Sequence, residues 1–366
     1  MRAEAATPLE GTPCLLCLDE VAAPYLSSRV QLTPGSREVF RFVRCRRCSL
    51  VYLDPRPSEA AIDRFYPPDY LPHRGPEAWG RWAPLVRSSE RRLDAERLRW
   101  VLGYERLGPG TPVLDVGCGR PTFLHALHSR TGAPCVGLDP TDAGWREDPA
   151  RWKGLRLVRG VLPEAEGALR RATEEAGPPS APQGAGMQEP PGTAGDARRT
   201  DRQGPGRRHT RTPGARNGYQ VITLWHALEH DYRPLETLRV LRRLAAPGAL
   251  LIIEVPNLAS LTARLHGNDW AGLHTPRHTA AYTPETLERI TVAGGWTVTH
   301  RLRHGTLDPY ILWWIGRRIR KDDSLGGSME GRFPGFVAGK VALLPLTLLQ
   351  RWIPLGVQTI VARLEG

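Results

Sequence analysis

From Val113 onward the chain repeats one unit: a short apolar strand, a turn marked by glycine or proline, then an amphipathic helical stretch. The spacing predicts strands at Val113–Val116, Cys135–Asp139, Leu155–Val158, Tyr219–Leu224, Ala249–Val255 and Trp296–His300. Helices are expected at 122–130, at 234–245 and from Thr283 to Gly294, where Thr283 is a cap and Pro284 suits the first turn. Strands joined through a helix run parallel, and a parallel sheet has to be covered on both faces. The pattern therefore predicts an α/β fold, an open parallel sheet with helices on both faces. Upstream, Ser89–Leu102 reads as a further helix, and Gly108-Pro-Gly-Thr-Pro112 breaks the chain before the first strand.

Two regions depart from this pattern. Residues 166–217 contain no aromatic residue and, among Val, Ile and Leu, only Leu169, while 16 of the 52 are Gly or Pro. Such a segment buries too little apolar surface to offset its chain entropy, so a disordered insertion is expected. Its end, Arg198 to Arg216, carries seven arginines against one aspartate and reads as a solvated loop, with contact to RNA or anionic lipid as the alternative. In the tail, 301–366, apolar segments such as Tyr310–Ile315, Phe336–Leu349 and Val357–Leu364 are interrupted by Arg, Lys and Pro. They are too short to span a bilayer. Trp313, Trp314 and Trp352 lie beside arginines, as in interfacial segments. The tail is expected either to touch a membrane surface or to cover a substrate pocket or pack on the sheet.

Four of the six cysteines form two pairs, Cys14-x-x-Cys17 and Cys45-x-x-Cys48, 27 residues apart. Each pair can turn two thiolates toward one ion, and two pairs complete a tetrahedral shell with no open position, which predicts a structural zinc. The first 56 residues hold few large apolar groups, so a folded unit there needs such a staple. Cys135 reads as a small packed hydrophobe, as does Cys118 where its thiol is concerned. The expected organisation is a ribbon at 1–56, a linker and helix at 57–108, the sheet core at 109–300 and the tail beyond.

Leu114-Asp-Val-Gly-Cys-Gly119 sits between a strand and a helix, where glycines let a ligand approach the backbone and the helix start favours negative charge. Asp139 ends the next strand, where a carboxylate reaches ribose hydroxyls. Together with Gly137-Leu-Asp139, Val221–His230, Leu244-Ala-Ala-Pro-Gly248, Ile252–Asn257, Pro276-Arg-His278 and Tyr282–Leu287, this series resembles class I S-adenosylmethionine-dependent methyltransferases, with their Rossmann-like sheet. It is most similar to the bacterial branch of quinone-biosynthesis O-methyltransferases, and the paired cysteines resemble the N-terminal ribbon of some such enzymes. The resemblance covers about 105–300 without the insertion. It implies that Asp115, Gly117, Cys118 and Gly119 hold the methionine part of S-adenosylmethionine and that Asp139 holds the ribose. Val161 and Leu162 would border the adenine, and Leu224 and Trp225 would wall the sulfonium. Pro121 stands where many members have Gly, which implies weaker cofactor binding.

His226, Glu229 and His230, at i, i+3 and i+4, would share one helix face at the lip of the sheet, where one histidine could act as base. In the related quinone enzymes an acid–acid–His trio at this spacing is linked to a divalent cation, and His226 departs from it. His278 is a further acceptor-side candidate and His274 a weaker one. The formal charge is +12, from 50 basic and 38 acidic residues, but only three of the basic residues are lysine, so the charge reflects coding bias as much as a selected surface. The expected acceptor is a small molecule, a sugar or a lipid-linked compound. The alternatives are an RNA methyltransferase and a catalytically degenerate cofactor binder. Nucleic acid is the weaker partner, because Trp225-His226 occupies the place of an aromatic N/D-P-P-Y motif. The N-terminus lacks the apolar stretch of a signal peptide, so the expected location is cytoplasmic, with attachment to an anionic membrane face as a further expectation.

Overall fold

The computed structural model describes residues 7–33, 35–66, 74–174, 218–321 and 325–365. The N-terminal part contains β1 (Leu9–Glu10), β2 (Ala22–Arg29), β3 (Val39–Cys45), β4 (Val51–Leu53) and β5 (Arg56–Pro57). The long helix α1 (Ala83–Tyr104) leads into the core. There follow β6 (Val113–Val116), α2 (Thr122–Thr131), β7 (Cys135–Asp139), β8 (Leu155–Arg159), α3 (Glu166–Glu174) and β9 (Tyr219–Trp225). The second half holds α4 (Pro234–Leu244), β10 (Ala245–Pro256), α5 (Leu261–His266), β11 (Ala280–Ala281), α6 (Pro284–Ala293) and β12 (Thr297–Leu302). Last come α7 (Pro309–Arg320), α8 (Phe333–Ala342), α9 (Leu344–Leu348) and β13 (Val357–Arg363).

The main sheet has seven strands in the order β12-β13-β10-β9-β6-β7-β8. Its alternating residues serve two cores. Leu114, Ile222, Leu224, Leu251 and Ile253 pack on the side of α3, α4 and α6, with Leu169, Leu238 and Leu287. Val113, Val221, Leu250 and Ile252 pack on the side of α1 and α2, with Val101, Phe123 and Leu127. Helices thus cover both faces, and the expected α/β architecture holds, with a Rossmann-like sheet. Its strands are not all parallel, however. β10, β9, β6, β7 and β8 pair in parallel, whereas β13 runs antiparallel between β10 and β12.

That strand decides between the two readings of the tail for its last segment. Val357–Arg363 is buried from Val357 to Ala362 and pairs on both edges, so it is core and not an interfacial segment. An apolar run of this length gives no clue to its partners, because both of its neighbours lie far back in the chain. The insertion is corrected at its start as well. Residues 166–174 form α3, whose Leu169 and Ala172 are buried and whose Leu169 carbonyl accepts the Tyr219 hydroxyl at 2.8 Å. A docking surface supplied by α4 and β8 stabilises a helix that its composition alone would not. Residues 175–217 lie outside the described residues.

β2, β3 and β4 form an antiparallel sheet that β11 of the core extends, with Ala280 paired to Tyr52 and Ala281 to Val51. The ribbon is therefore hydrogen-bonded to the segment between β10 and α6, next to His278.

Candidate functional site at the carboxyl edge of the sheet

Parallel strands end along one edge, and β6, β7, β9 and β10 bring their last residues there together. After β6 the chain turns through Gly117 (φ 74°) and Gly119 (φ 49°), left-handed conformations that side chains rarely adopt. A Cβ on Gly117 would meet the Ala227 Cβ at 2.6 Å, so only glycine lets this loop lie against the end of β9. A Cβ on Gly119 would meet nothing, which leaves open space over the loop. The Leu138 carbonyl accepts the Gly117 and Cys118 amides, and the Asp139 carboxylate accepts the Gly119 amide at 2.9 Å and the Thr141 amide at 3.0 Å. Asp139 thus fixes the loop, and burial raises its pKa above the usual carboxylate range. Asp115 is buried and accepts the Thr223 hydroxyl at 2.6 Å, and burial pushes its carboxyl up to about 7. Pro121 stands at the N-cap position of α2, and its carbonyl accepts the His125 amide at 2.9 Å.

Trp225 is buried edge-on against Phe123, at 5.7 Å between ring centres, and Leu224 lies in the core beneath it. Leu162 is buried and Val161 is exposed, so only Leu162 is part of a packed wall. Open glycine backbone, a carboxylate at the end of β7 and an apolar wall make a site that fits an adenosine-bearing sulfonium cofactor.

The second half of the site is a histidine–glutamate cluster. His226 does not start a helix as its spacing suggested. It sits at φ 56°, and only Leu228–His230 form a short turn, so the three residues do not share an α-helical face. The left-handed backbone places the His226 ring between two carboxylates, with Nε2 3.0 Å from Glu254 and Nδ1 3.4 Å from Glu229. Burial alone would lower its pKa, but these carboxylates overcome burial and raise it to about 9, so His226 is a cation at neutral pH. Glu229 is 1% exposed, and neither of its carboxylate oxygens makes a hydrogen bond.

On the other side of Glu229 stand His230, His274 and His278. Their rings are mutually perpendicular, with centres 4.4 Å apart for His230–His278 and 5.0 Å for His274–His278. One ring nitrogen from each lies within 4.8 Å of the others. Burial, together with the nearby Arg277 guanidinium, holds the pKa of all three below the ordinary histidine value, so they are neutral. His278 Nδ1 is 2.9 Å from the Gly272 carbonyl, which only accepts. Nδ1 therefore carries the proton, and Nε2, 4.0 Å from Glu229, keeps its lone pair. His230 Nδ1 lies 3.1 Å from the Tyr66 hydroxyl. His274, ranked below His278 from the sequence, stands equally inside the cluster.

Sequence reasoning missed two residues. Glu254, in the middle of the β10 motif, is fully buried and accepts the Thr306 amide at 2.6 Å and the Leu307 amide at 3.2 Å besides facing His226. Its place within the apolar run Ala249–Val255 was the available signal: a carboxylate inside a buried strand needs partners. Arg97 reaches across from α1, its guanidinium 5.1 Å from the Trp225 ring centre, and nothing in its helical context marked it.

In the ribbon the four paired cysteines converge as expected, every Sγ within 4.8 Å of the others, with Cys14–Cys48 at 3.3 Å and Cys17–Cys45 at 3.5 Å. Thiolates about 2.3 Å from one ion would stand somewhat further apart than these two pairs, so the set fits a tetrahedral zinc after a slight opening. Cys118 and Cys135 are buried, and burial raises both thiols.

Three similar solved structures are a chain of the complex between the Haloferax volcanii Trm112 methyltransferase activator and the putative methyltransferase (13% identity, 78% of this chain and 96% of that chain, TM-score 0.42), a putative sarcosine dimethylglycine methyltransferase from Galdieria sulphuraria (12%, 76% and 88%, 0.44) and a SAM-dependent methyltransferase from Archaeoglobus fulgidus (18%, 73% and 91%, 0.37). No curated protein matches the chain in sequence. The family model described as a methyltransferase domain matches residues 87–301, more than half of the chain, spanning the glycine loop, Asp139 and the histidine–glutamate cluster. The chain therefore belongs to the methyltransferase-domain family.

Proposed function

We propose that the protein methylates a proton-bearing group, a hydroxyl first of all, on a small-molecule, sugar or lipid-linked acceptor. The observation that carries this reading is the His278 Nε2 lone pair beside Glu229, on the same sheet edge as the glycine loop. S-adenosylmethionine, when bound, supplies an activated methyl group, so the protein's task is to align the acceptor and remove its proton. Asp115, Gly117, Cys118 and Gly119 line the methionine side, with Arg97 as the cation for its carboxylate. Asp139 takes the ribose, Leu162 borders the adenine, and Leu224 and Trp225 back the sulfonium. His278 and His230 are the neutral bases. His226, being a cation, does not take a proton and instead holds Glu229 and Glu254 in place. The motif likeness to quinone-biosynthesis O-methyltransferases favours an acceptor of that branch. A structural zinc at Cys14, Cys17, Cys45 and Cys48 fixes the ribbon beside the acceptor side.

Isothermal titration with S-adenosylmethionine and its demethylated product tests the cofactor reading, with micromolar binding of both expected. Binding of neither would leave a degenerate scaffold. Metabolite and lipid profiling of a deletion strain then identifies the acceptor by the methylated species that disappears.

A further inference from the structure

Apart from α7 and β13, the tail leaves two helices with no buried residue. α8 and α9 are joined at Leu343 and expose Val341 (64%), Leu348 (66%) and, just beyond, Trp352 (70%). From Phe333 to Ile353 the chain holds two basic and no acidic residues. No single helix among the described residues is long and apolar enough to cross a membrane, but Glu330–Ala342 and Leu344–Arg351 qualify together, bent by 59°. At about 1.5 Å per residue the two arms measure about 20 and 12 Å, against a hydrocarbon core of about 30 Å. The first arm is held against α7 by Phe336 and beside it by the Lys340–Asp308 ion pair at 2.7 Å, so only the second arm is left to enter the bilayer, as a wedge for one leaflet and not a span.

Its neighbour supplies the charge. α7 is buried through Tyr310, Leu312 and Trp314, and Tyr310 and Trp314 contact Phe336 of α8 at 5.1 and 5.2 Å between ring centres. A cleft between α7 and α8 is lined by Trp313, Arg317, Arg318, Lys321, Gly335 and Gly339. From Pro309 to Lys321 there are four basic residues and no acidic one. Arg317 lies 4.9 Å from the Trp313 ring centre. A basic, tryptophan-bearing cleft at the foot of an uncovered apolar wedge matches the order of a leaflet, anionic headgroup above acyl chain.

We infer that α7 and the α8–α9 wedge form a one-leaflet docking site for anionic phospholipid, with the headgroup phosphate in the Arg317–Arg318–Lys321 cleft and α9 among the acyl chains. The site stands apart from the methyl-transfer chemistry and does not rest on the acceptor assigned above.

The test is sedimentation of the full-length protein with phosphatidylglycerol/phosphatidylcholine vesicles, against phosphatidylcholine alone. Truncation is unsuitable because β13 follows the wedge and belongs to the core, so point variants are used, each checked for an unchanged thermal transition. Binding to the anionic vesicles is expected, at least tenfold stronger than to neutral ones. Arg317→Ala with Lys321→Ala should weaken it by about fivefold per charge removed. Val341→Asp with Leu348→Asp should weaken it by more than tenfold while the transition stays in place. Wild-type protein that ignores the anionic vesicles at low salt overturns the inference. So does binding that depends on the arginines yet tolerates the two aspartates, since that behaviour belongs to a site for soluble polyanions such as RNA.

Discussion

Replacing Glu254 with glutamine removes one charge and adds one donor in a space with no room for either change. The carboxylate accepts the Thr306 amide on one oxygen, and the Leu307 amide and Thr306 hydroxyl on the other, which also faces His226. A glutamine amide oriented either way points its NH₂ at a backbone N–H, so at least one buried donor loses its acceptor, at about 1–3 kcal/mol. The pair with His226 adds to this. Burial opposes ionisation of Glu254, yet His226 and the amides hold its carboxyl at about 2 against an ordinary 4.5, which corresponds to about 3 kcal/mol. A loss of about 3–5 kcal/mol is expected, in line with breaking one partner of a buried pair. At about 2–4 °C per kcal/mol this lowers the thermal midpoint by about 6–20 °C. The pH dependence follows from the signs. The Glu254 contribution is complete above about 4.5 and is lost as pH falls through about 2. That of His226 is complete below about 6.5 and is lost as pH rises through about 9. The gap between wild type and Glu254→Gln should therefore be widest between about pH 4.5 and 6.5 and should narrow on either side. The assay is circular-dichroism melting across pH. A midpoint within 2 °C of wild type at pH 6 would refute the account.

Three further outcomes are expected. Purified protein should carry about one zinc per chain, lost in Cys14→Ser or Cys45→Ser together with protection of 7–58 in hydrogen exchange; metal analysis that finds none removes the zinc. Asp139→Ala should weaken S-adenosylmethionine binding by about 2–3 kcal/mol, roughly 30- to 150-fold, because it removes both a ribose acceptor and the anchor of the Gly119 amide; unchanged titration isotherms would contradict this. Deleting 178–214 and joining the ends with a short Gly/Ser linker should leave folding and cofactor binding intact, since shortening the loop about fourfold changes closure by about 1 kcal/mol. A collapsed transition would show a structural role for the segment.

What the sequence by itself determined was local. Strand–turn–helix periodicity, the glycines at 117 and 119, the carboxylate ending β7 and the two C-x-x-C pairs express constraints that act within a few residues, and the structure carries them where they were read. What the tertiary structure decided depends on contacts across long stretches of chain. Val357–Arg363 looks like any apolar tail segment until β10 and β12 leave a gap of one strand between them. Residues 166–174 are helical because α4 and β8 offer Leu169 and Ala172 a place to bury. The spacing of His226, Glu229 and His230 promised one helix face. The left-handed backbone at His226 instead splits the group, giving His226 to Glu254 and leaving His230 to meet His274 and His278 from more than 40 residues away. Which histidine is a cation and which are neutral follows from that split, because two buried carboxylates flank the first, whereas the others share burial with an arginine.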